Sequence, residues 1–467
     1  MFTDNTFNQS CEQGGCRLTN PVKSAVGQSL SVSYADFITR PGCIYLSLTK
    51  DAERQQLKNA NSDLVFRVFA ENESYHLDSA NYIGQINWPI AGKLLSFEIG
   101  SRFSLTFLQR MLNFANDVIL DDIDAGKVSK SSQSTTEFIL FYLFSQSLEK
   151  AFMLGLPKRY QSQHHHEARL KGLLDINRTI KQDWPFKGKI SSTSREQVPV
   201  AEIADVLYKA VSIINKKQSG LMGRIKHVVP ALREAKSDQF VSTSVVLKAK
   251  QSAALNNPIF YPYRQVLNYA EMMLKLEGVL SNKNADHPGV SFILNIAELF
   301  EIYVRKLLAL HFPDWSVDSP KIKLYENRFY SRHIVPDIVM RKGNKIAVFD
   351  TKYKRMNYQG TNQNSMGDVD RSDFFQIHTY MSYYQSQPNI EFIGGGLLYP
   401  LSQAYSESNC FSSKQLENHQ AWFCVDGIEI PQEFTVLFSN QLEKTNSIPL
   451  LCKSESRFIE RIRKLVG

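Results

Sequence analysis

Two aspartates and a lysine lie at the ends of two short apolar segments in the C-terminal third of the sequence. Asp337 precedes Ile338-Val339-Met340, whereas Asp350 and Lys352 follow Ala347-Val348-Phe349. The segments are typical of two strands joined by a tight hairpin, which brings the start of the first strand beside the end of the second. Because side chains alternate between the faces of a strand, Asp350 and Lys352 share one face. Two carboxylates meeting beside an ammonium predict a Mg²⁺ site, at which Mn²⁺ would be an alternative ion.

The chemistry expected at such a site is metal-assisted hydrolysis of a phosphodiester. The cation would lower the pKa of a bound water, and Lys352 would orient or deprotonate that water or stabilise the charge of the transition state. A D-x-K triplet alone is common, and an ordinary hairpin with solvated ends is the alternative interpretation. The apolar strand beside each acid favours the functional interpretation, since it places both acids at strand ends rather than in loops.

A helix upstream of the hairpin carries a third candidate acid. The apolar spacing predicts a helix over residues 290–311, and Glu301 lies close to its apolar stripe. From that position Glu301 would reach the metal. Glu298, about one turn earlier, is the rival residue, and an exposed helix carboxylate without a role is the alternative for either.

A helix downstream of the hairpin carries a polar pair. Gln376 and Tyr380 lie one turn apart within a helix predicted over residues 372–385, so they share a face. There they could bind a phosphate or a metal-bound water. The three consecutive glycines 394–396, within the next predicted strand, indicate a close backbone approach by a packed helix or by DNA.

Basic side chains near the acids are candidate phosphate contacts, although some of them must be ordinary surface charge. These residues are Arg341, Lys342, Lys345, Lys354 and Arg355. The net charge of the whole chain is only +8. If this positive charge is concentrated in one groove, it favours binding of a polyanion; spread over the surface, it contributes only to solubility.

The length of 467 residues exceeds one ordinary core and predicts two or three domains. We predict an α/β (α+β) fold with a polar tail over residues 1–30, a β-rich domain with a helical insert over 31–190, and a helical lead-in with the nuclease domain over 195–467. Strand-like segments dominate the region 31–190. Further along the chain, the apolar pattern changes from helical to strand periodicity where the hairpin is predicted.

Several features of the sequence exclude other classes of protein. The polar N-terminus has no basic region followed by an apolar core, so no signal peptide is expected, and the longest apolar run, residues 138–144, is far shorter than a membrane span. The six cysteines form no C-x-x-C pair, so reduced thiols and a cytoplasmic location without a membrane partner are expected. No phosphate-binding G-x-x-x-x-G-K-[ST] motif occurs, so this chain is not expected to power translocation along DNA by nucleotide hydrolysis of its own.

The candidate residues together resemble the nuclease pattern of the McrC family, in the PD-(D/E)XK superfamily. The resemblance starts near Tyr82, and the segment from Leu170 to Arg178 is similar to a further L-R-G-x-x-D element of the family. Its nuclease motifs are Leu299-Phe300-Glu301, Pro336-Asp337, Asp350-Thr351-Lys352-Tyr353-Lys354, Ser372-Asp373-x-x-Gln376-x-x-x-Tyr380 and Leu397-Leu398-Tyr399-Pro400.

The resemblance implies a restriction-endonuclease-like domain in the DNA-cleaving subunit of a McrBC-type, modification-dependent (type IV) restriction system that acts in antiviral defence. In such a system Asp337, Asp350 and Glu301 would hold Mg²⁺, and modified DNA would be the substrate. The resemblance also implies an AAA+ GTPase or ATPase ring of the McrB type as partner, contacted by residues before about 190. A standalone RecB-like nuclease and a non-catalytic subunit that activates an NTPase are the alternatives.

Overall fold

The computed structural model describes residues 2–10, 29–40, 43–46, 63–71, 74–90, 93–115, 135–217, 219–237, 239–278, 291–325, 332–354, 369–402, 421–430 and 447–467. Arg355 and most of the predicted tail lie outside these ranges. The chain divides into two compact units: Met1–Asp121 together with Ser291–Gly467 form unit 1, and Asp122–Val290 form unit 2. The limits of these two units do not coincide with the domain boundaries predicted at residues 31, 190 and 195. Those boundaries stay a prediction.

The N-terminal part of unit 1 is built mainly of strands, which confirms the expected β-rich region. Its elements are β1 (Phe2–Thr3), β2 (Thr6–Ser10), β3 (Ser29–Ser33), α1 (Tyr34–Thr39), β4 (Cys43–Tyr45), β5 (Leu64–Glu71), β6 (Ser74–Ser79), β7 (Tyr82–Ile90), β8 (Lys93–Gly100) and α2 (Leu105–Ala115). One four-stranded sheet has the order β2-β6-β5-β3. Alternate large apolar side chains of these strands, among them Phe66, Trp88 and Phe97, form a common core.

Unit 2 combines a helical bundle with a three-stranded sheet. Its elements are α3 (Thr135–Phe152), β9 (Lys158–Glu167), β10 (Leu173–Leu174), α4 (Ile176–Gln182), β11 (Ile190–Pro199), α5 (Ala201–Lys217), α6 (Met222–Ile225), α7 (Val229–Ala235), α8 (Thr243–Lys250) and α9 (Tyr263–Leu276), with short 3-10 turns at Ser219–Leu221, Ala253–Asn256 and Pro258–Phe260. Strands β9 and β11 pair antiparallel over their full length. Among the described residues, no helix is long and apolar enough to span a membrane.

The C-terminal part of unit 1 begins with a strand where we predicted a helix. Residues 291–295 form β12 (Ser291–Asn295), and the helix α10 (Ile296–His311) starts only after them. Strand β12 pairs with β7 and β4 and completes a sheet of order β1-β8-β7-β12-β4. The prediction of one helix from residue 290 is therefore wrong, because pairing with distant strands overrides the local apolar pattern. The side chain of Asn295 caps α10 by accepting from the backbone N–H groups of Ala297 and Glu298.

A second five-stranded sheet carries the predicted hairpin and has the order β13-β16-β17-β18-β19. The remaining elements are β13 (Ser316–Asp318), β14 (Ile322–Lys323), β15 (His333–Ile334), β16 (Ile338–Lys342), β17 (Lys345–Thr351), α11 (Arg371–Gln385), β18 (Glu391–Leu401), β19 (Trp422–Glu429) and α12 (Ser447–Val466). Strands β16 and β17 pair antiparallel through the two-residue turn Gly343-Asn344, in which Gly343 has a φ of +61°. Parallel pairing of β17 with β18 and of β18 with β19 follows, which makes the fold mixed α/β as expected.

Helix α11 lies against β18 at the run of glycines. A Cβ atom on Gly395 would lie 2.3 Å from the carbonyl oxygen of Val348 and 3.2 Å from Cγ of Met381. Glycine is therefore required where the helix and the neighbouring strand approach the backbone of β18. Of the two explanations offered for the glycines, a packed helix accounts for Gly395.

Candidate active site

The two aspartates lie side by side at one end of the β16–β17 hairpin. Ile338 pairs with Phe349 in the antiparallel register, so Asp337, one residue earlier, faces Asp350. Residues directly opposite each other in such a pair point to the same side of the sheet. The side chain of Asp337 is fixed further, since its Oδ2 accepts from the backbone N–H and the hydroxyl of Thr351 at 2.9 and 2.8 Å.

Asp350 and Lys352 share a face of β17, as the alternation predicts. Ile346 and Val348, on that same face, pack in one core with residues of α11, so the strand presents Asp350 and Lys352 toward this helix. The ammonium of Lys352 lies 2.5 Å from Oδ2 of the buried Asp350. Burial alone would lower the pKa of Lys352, but the charge and hydrogen bond of Asp350, together with the charges of Asp337 and Asp373, outweigh burial and raise that pKa. Lys352 is thus a cation that can donate hydrogen bonds and stabilise negative charge.

Gln376 and Tyr380 hold the lysine through a chain of hydrogen bonds. Lys352 Nζ donates to Oε1 of Gln376 at 2.8 Å, and Nε2 of Gln376 donates to the hydroxyl of Tyr380 at 2.8 Å. The Tyr380 hydroxyl in turn donates to the carbonyl oxygen of Val335 at 3.4 Å. Burial raises the pKa of Tyr380 to about 12, so its hydroxyl keeps its proton and remains a donor. The glutamine–tyrosine pair therefore connects α11 to the lysine and to the segment leading into β16.

The two rival glutamates of α10 both face the cavity described below. Glu301 is buried and lies 3.3 Å from Nη1 of Arg305, one turn later in the helix. Glu298 accepts a hydrogen bond of 2.6 Å from the hydroxyl of Tyr45 in β4. Glu301 is the more deeply placed acid, whereas Glu298 is tied to the N-terminal sheet, so the geometry favours Glu301 as the third acid.

One cavity of about 750 Å³ is lined by the residues predicted to be catalytic. Its lining includes all six residues predicted to be catalytic, which are Glu301, Asp337, Asp350, Lys352, Gln376 and Tyr380. These side chains come from α10, the β16–β17 hairpin and α11. Glu298, Asn295, Arg305 and Asp63 also line this cavity, so the N-terminal sheet region contributes to it as well.

The oxygen donors of the cavity suit a hard divalent cation. Mg²⁺ is usually held by one or two carboxylates and keeps several waters, and Asp337 with Asp350 provides such a pair. Among the described residues, no group of three or more His, Cys, Asp or Glu side chains is already arranged around a metal position. Glu301 as a third ligand therefore stays a prediction, whereas the aspartate pair fits the requirement of Mg²⁺ by itself.

Two residues of the site were not assigned a role from the sequence. Asp373, in the first turn of α11, is buried and lies near the ammonium groups of both Lys352 and Lys354. Tyr353 is buried between Phe103 and Phe300, and its carbonyl oxygen accepts from Nδ2 of Asn5 at 3.1 Å. Both residues belong to the motifs that resemble the McrC family, which was the only signal in the sequence.

The predicted DNA-contacting cations have varied surroundings. Lys342 lies 3.5 Å from Asp314, and Lys345 lies 3.9 Å from Glu391, in exposed pairs that are worth little free energy. Arg341 lines a second, smaller cavity of about 250 Å³, not the one that holds the acids. Lys354 is engaged by Asp373 and Asp370. Contacts of these four residues with DNA stay a prediction.

Solved structures similar to this chain include two McrBC assemblies of Thermococcus gammatolerans. A half-complex of McrB AAA+ hexamers with bound McrC has a TM-score of 0.48 at 15% identity, covering 85% of this chain and 86% of that chain. A cryo-EM structure of the McrBC complex has a TM-score of 0.30 at 15% identity, covering 57% and 74%. Comparison with curated proteins found no match.

A protein-family model also matches the sequence. It is described as the McrBC 5-methylcytosine restriction system component, and the match extends over residues 77–400. That range includes unit 2, the β16–β17 hairpin, α10 and α11, and thus every residue predicted to be catalytic. This chain therefore belongs to the McrBC family of restriction system components.

Proposed function

We propose that the chain is the Mg²⁺-dependent DNA endonuclease subunit of a McrBC-type restriction system. The observation that carries the proposal is the single cavity lined by Glu301, Asp337, Asp350, Lys352 and the Gln376–Tyr380 pair. These residues are spread over 80 positions of the sequence (301 to 380) and belong to separate elements. Carboxylates, an ammonium and a hydrogen-bonding pair meeting in one place are the groups that phosphodiester hydrolysis requires.

Each residue has a distinct part in the proposed reaction. Asp337 and Asp350 would hold Mg²⁺ on two paired strands, with Glu301 on the α10 side of the cavity. When bound, the cation would supply the positive charge that lowers the pKa of water and polarises the phosphate. Lys352, held by Gln376, would stabilise negative charge on the phosphate oxygens while water breaks the phosphorus–oxygen bond. Tyr380 keeps Gln376, and through it Lys352, in this orientation.

A cleavage assay tests the proposal. Circular plasmid, with or without 5-methylcytosine, is incubated with the chain, GTP, Mg²⁺ and the McrB-type GTPase of the same organism. We expect nicked or linear product only when metal and partner are both present, and we expect EDTA to abolish the cleavage. Intact plasmid under every condition, or cleavage that EDTA leaves unchanged, would contradict the proposal. Cleavage without the partner would instead indicate a standalone nuclease.

We also propose that unit 2 contacts the GTPase ring through an apolar finger, defined as Lys158–Pro199 (β9 to β11). Eight large hydrophobic side chains of the finger are more than half exposed: Tyr160, Leu170, Leu173, Leu174, Ile176, Ile180, Trp184 and Phe186. Apolar side chains so concentrated at a surface usually mark a protein interface. Asp175 caps α4 by accepting from the N–H of Arg178, so the part that resembles the family has a fixed local structure.

A charged substitution in the finger is expected to disrupt partner activation. Leu173→Asp introduces a carboxylate at a side chain that is 80% exposed, so the chain should fold normally while the interface loses apolar contact. We expect stimulation of GTP hydrolysis by the partner to fall at least roughly tenfold. Met153→Asp is the matched control, because Met153 is 82% exposed in unit 2 but lies outside the finger. Equal GTPase rates for the wild type and Leu173→Asp would refute the assignment of the finger.

A further inference from the structure

We propose that Asp373 is a positioning residue that sets the direction of the Lys352 ammonium, and that Lys354 serves to neutralise Asp373. The proposal rests on the nuclease function proposed above and adds a residue to it. Asp373 lies in the first turn of α11 and is buried, with only 4% of its surface exposed. A buried carboxylate is costly unless it is paired, so its partners indicate what it does.

Three side-chain oxygens surround the Lys352 ammonium, two at hydrogen-bond distance and one at ion-pair distance. Oδ2 of Asp350 lies at 2.5 Å, Oε1 of Gln376 at 2.8 Å and Oδ1 of Asp373 at 3.6 Å. A lysine ammonium has three N–H groups, so two close acceptors and a third oxygen nearby leave few orientations for a flexible side chain. Asp350 comes from the strand and would also serve the metal, whereas Gln376 and Asp373 come from one helix. Helix α11 therefore contributes one hydrogen bond, from Gln376, and one negative charge, from Asp373, to the surroundings of the ammonium.

Lys354 balances the charge of Asp373. Its Nζ lies 3.1 Å from Oδ1 and 2.9 Å from Oδ2 of Asp373, and 3.4 Å from Oδ2 of Asp370. Asp373 thus stands between the two lysines that flank Tyr353, and the longer contact is the one to Lys352. Because Asp373 lies within hydrogen-bond distance of Lys354 but only within ion-pair distance of Lys352, it can orient the Lys352 ammonium without holding it tightly. The lysine stays available for a phosphate oxygen.

The alternative is that Asp373 only fastens α11 to the end of β17. A fastening role would affect the stability of the fold, whereas a positioning role would affect the rate of the chemical step. These two effects are separable, since misplacing a catalytic group lowers kcat without weakening substrate binding.

Plasmid cleavage by the complete complex with Mg²⁺ and GTP tests the proposal. We expect Asp373→Asn, which keeps the shape and removes the charge, to lower kcat roughly ten- to a hundredfold with KM unchanged. The Mg²⁺ concentration that gives half-maximal activity should also stay unchanged, because Asp373 is not assigned to the metal. Asp370→Asn is the matched control: Asp370 also contacts Lys354 but is exposed, and asparagine keeps its helix cap. This control should cleave at the wild-type rate.

Each outcome decides between the alternatives. A normal kcat with a lowered melting temperature in Asp373→Asn would overturn the positioning role in favour of fastening. If the single variant does not fold, the double variant Asp373→Asn, Lys354→Gln leaves no unbalanced charge on this side and should show the same loss of kcat. Wild-type kcat in the double variant would equally overturn the proposal. A wild-type complex that never cleaves DNA would instead refute the nuclease function itself.

Discussion

Asp350→Asn is expected to abolish DNA cleavage while leaving stimulation of the partner GTPase intact. The substitution keeps the size of the side chain but replaces a charged oxygen donor by a neutral amide at the centre of the proposed metal site. With one of two aspartates gone, the site can no longer supply the carboxylate pair on which Mg²⁺ binding depends. We expect the cleavage rate to fall roughly a thousandfold or more. Plasmid cleavage and GTP hydrolysis, measured in the same complex, check the prediction.

The GTPase rate is the internal control for this variant. The finger of unit 2 is far from Asp350 in sequence, and unit 2 forms a compact unit by itself, so a folded variant should still activate the partner. Asp318→Asn is the matched control, because Asp318 is an exposed carboxylate in β13 of the same sheet. Undiminished cleavage by Asp350→Asn would refute the assigned centre and favour a non-catalytic subunit that only activates the GTPase.

The sequence predicted the core of the candidate site because local rules determine its geometry. Period-two alternation placed Asp350 and Lys352 on one face, and the hairpin register placed Asp337 beside Asp350. The spacing of four residues placed Gln376 and Tyr380 on one face of α11 in the same way. None of these predictions depends on how the helices pack on the sheet.

The contacts that link these elements could not be predicted in this way. That Gln376 and Tyr380 could bind a phosphate or a metal-bound water stays a prediction, whereas the hydrogen bond from Lys352 to Gln376, which arises where α11 packs on the sheet, was not foreseen. The contacts of Asp373 with Lys352 and Lys354 depend on the same packing of α11. Residues 291–295 form a strand by pairing with β7 and β4, which lie about 200 to 250 residues earlier, as the pairing of Ile293 with Gly84 and with Tyr45 illustrates. Long-range pairing of this kind leaves no periodic trace in a single sequence.

Lys352→Ala should separate catalysis from metal binding. Removing the ammonium takes away the group that would stabilise charge on the phosphate, and we expect cleavage to fall roughly a hundred- to a thousandfold. Asp337 and Asp350 remain in place on their paired strands, and without the neighbouring ammonium Asp350 can give its full charge to a cation. Lys352→Ala should therefore bind Mg²⁺ or Mn²⁺ at least as tightly as the wild type, whereas Asp350→Asn should not.

Isothermal titration of each variant with Mn²⁺, alongside plasmid cleavage, distinguishes the two roles. Lys323→Ala is the matched control, because Lys323 is an exposed lysine in β14 that does not line the cavity. Unchanged cleavage by Lys352→Ala would place the catalytic cation elsewhere. Loss of metal binding in Lys352→Ala would mean that the lysine maintains the arrangement of the aspartates. In that case Gln376 and Tyr380, which fix the lysine, would support the metal site as much as the reaction.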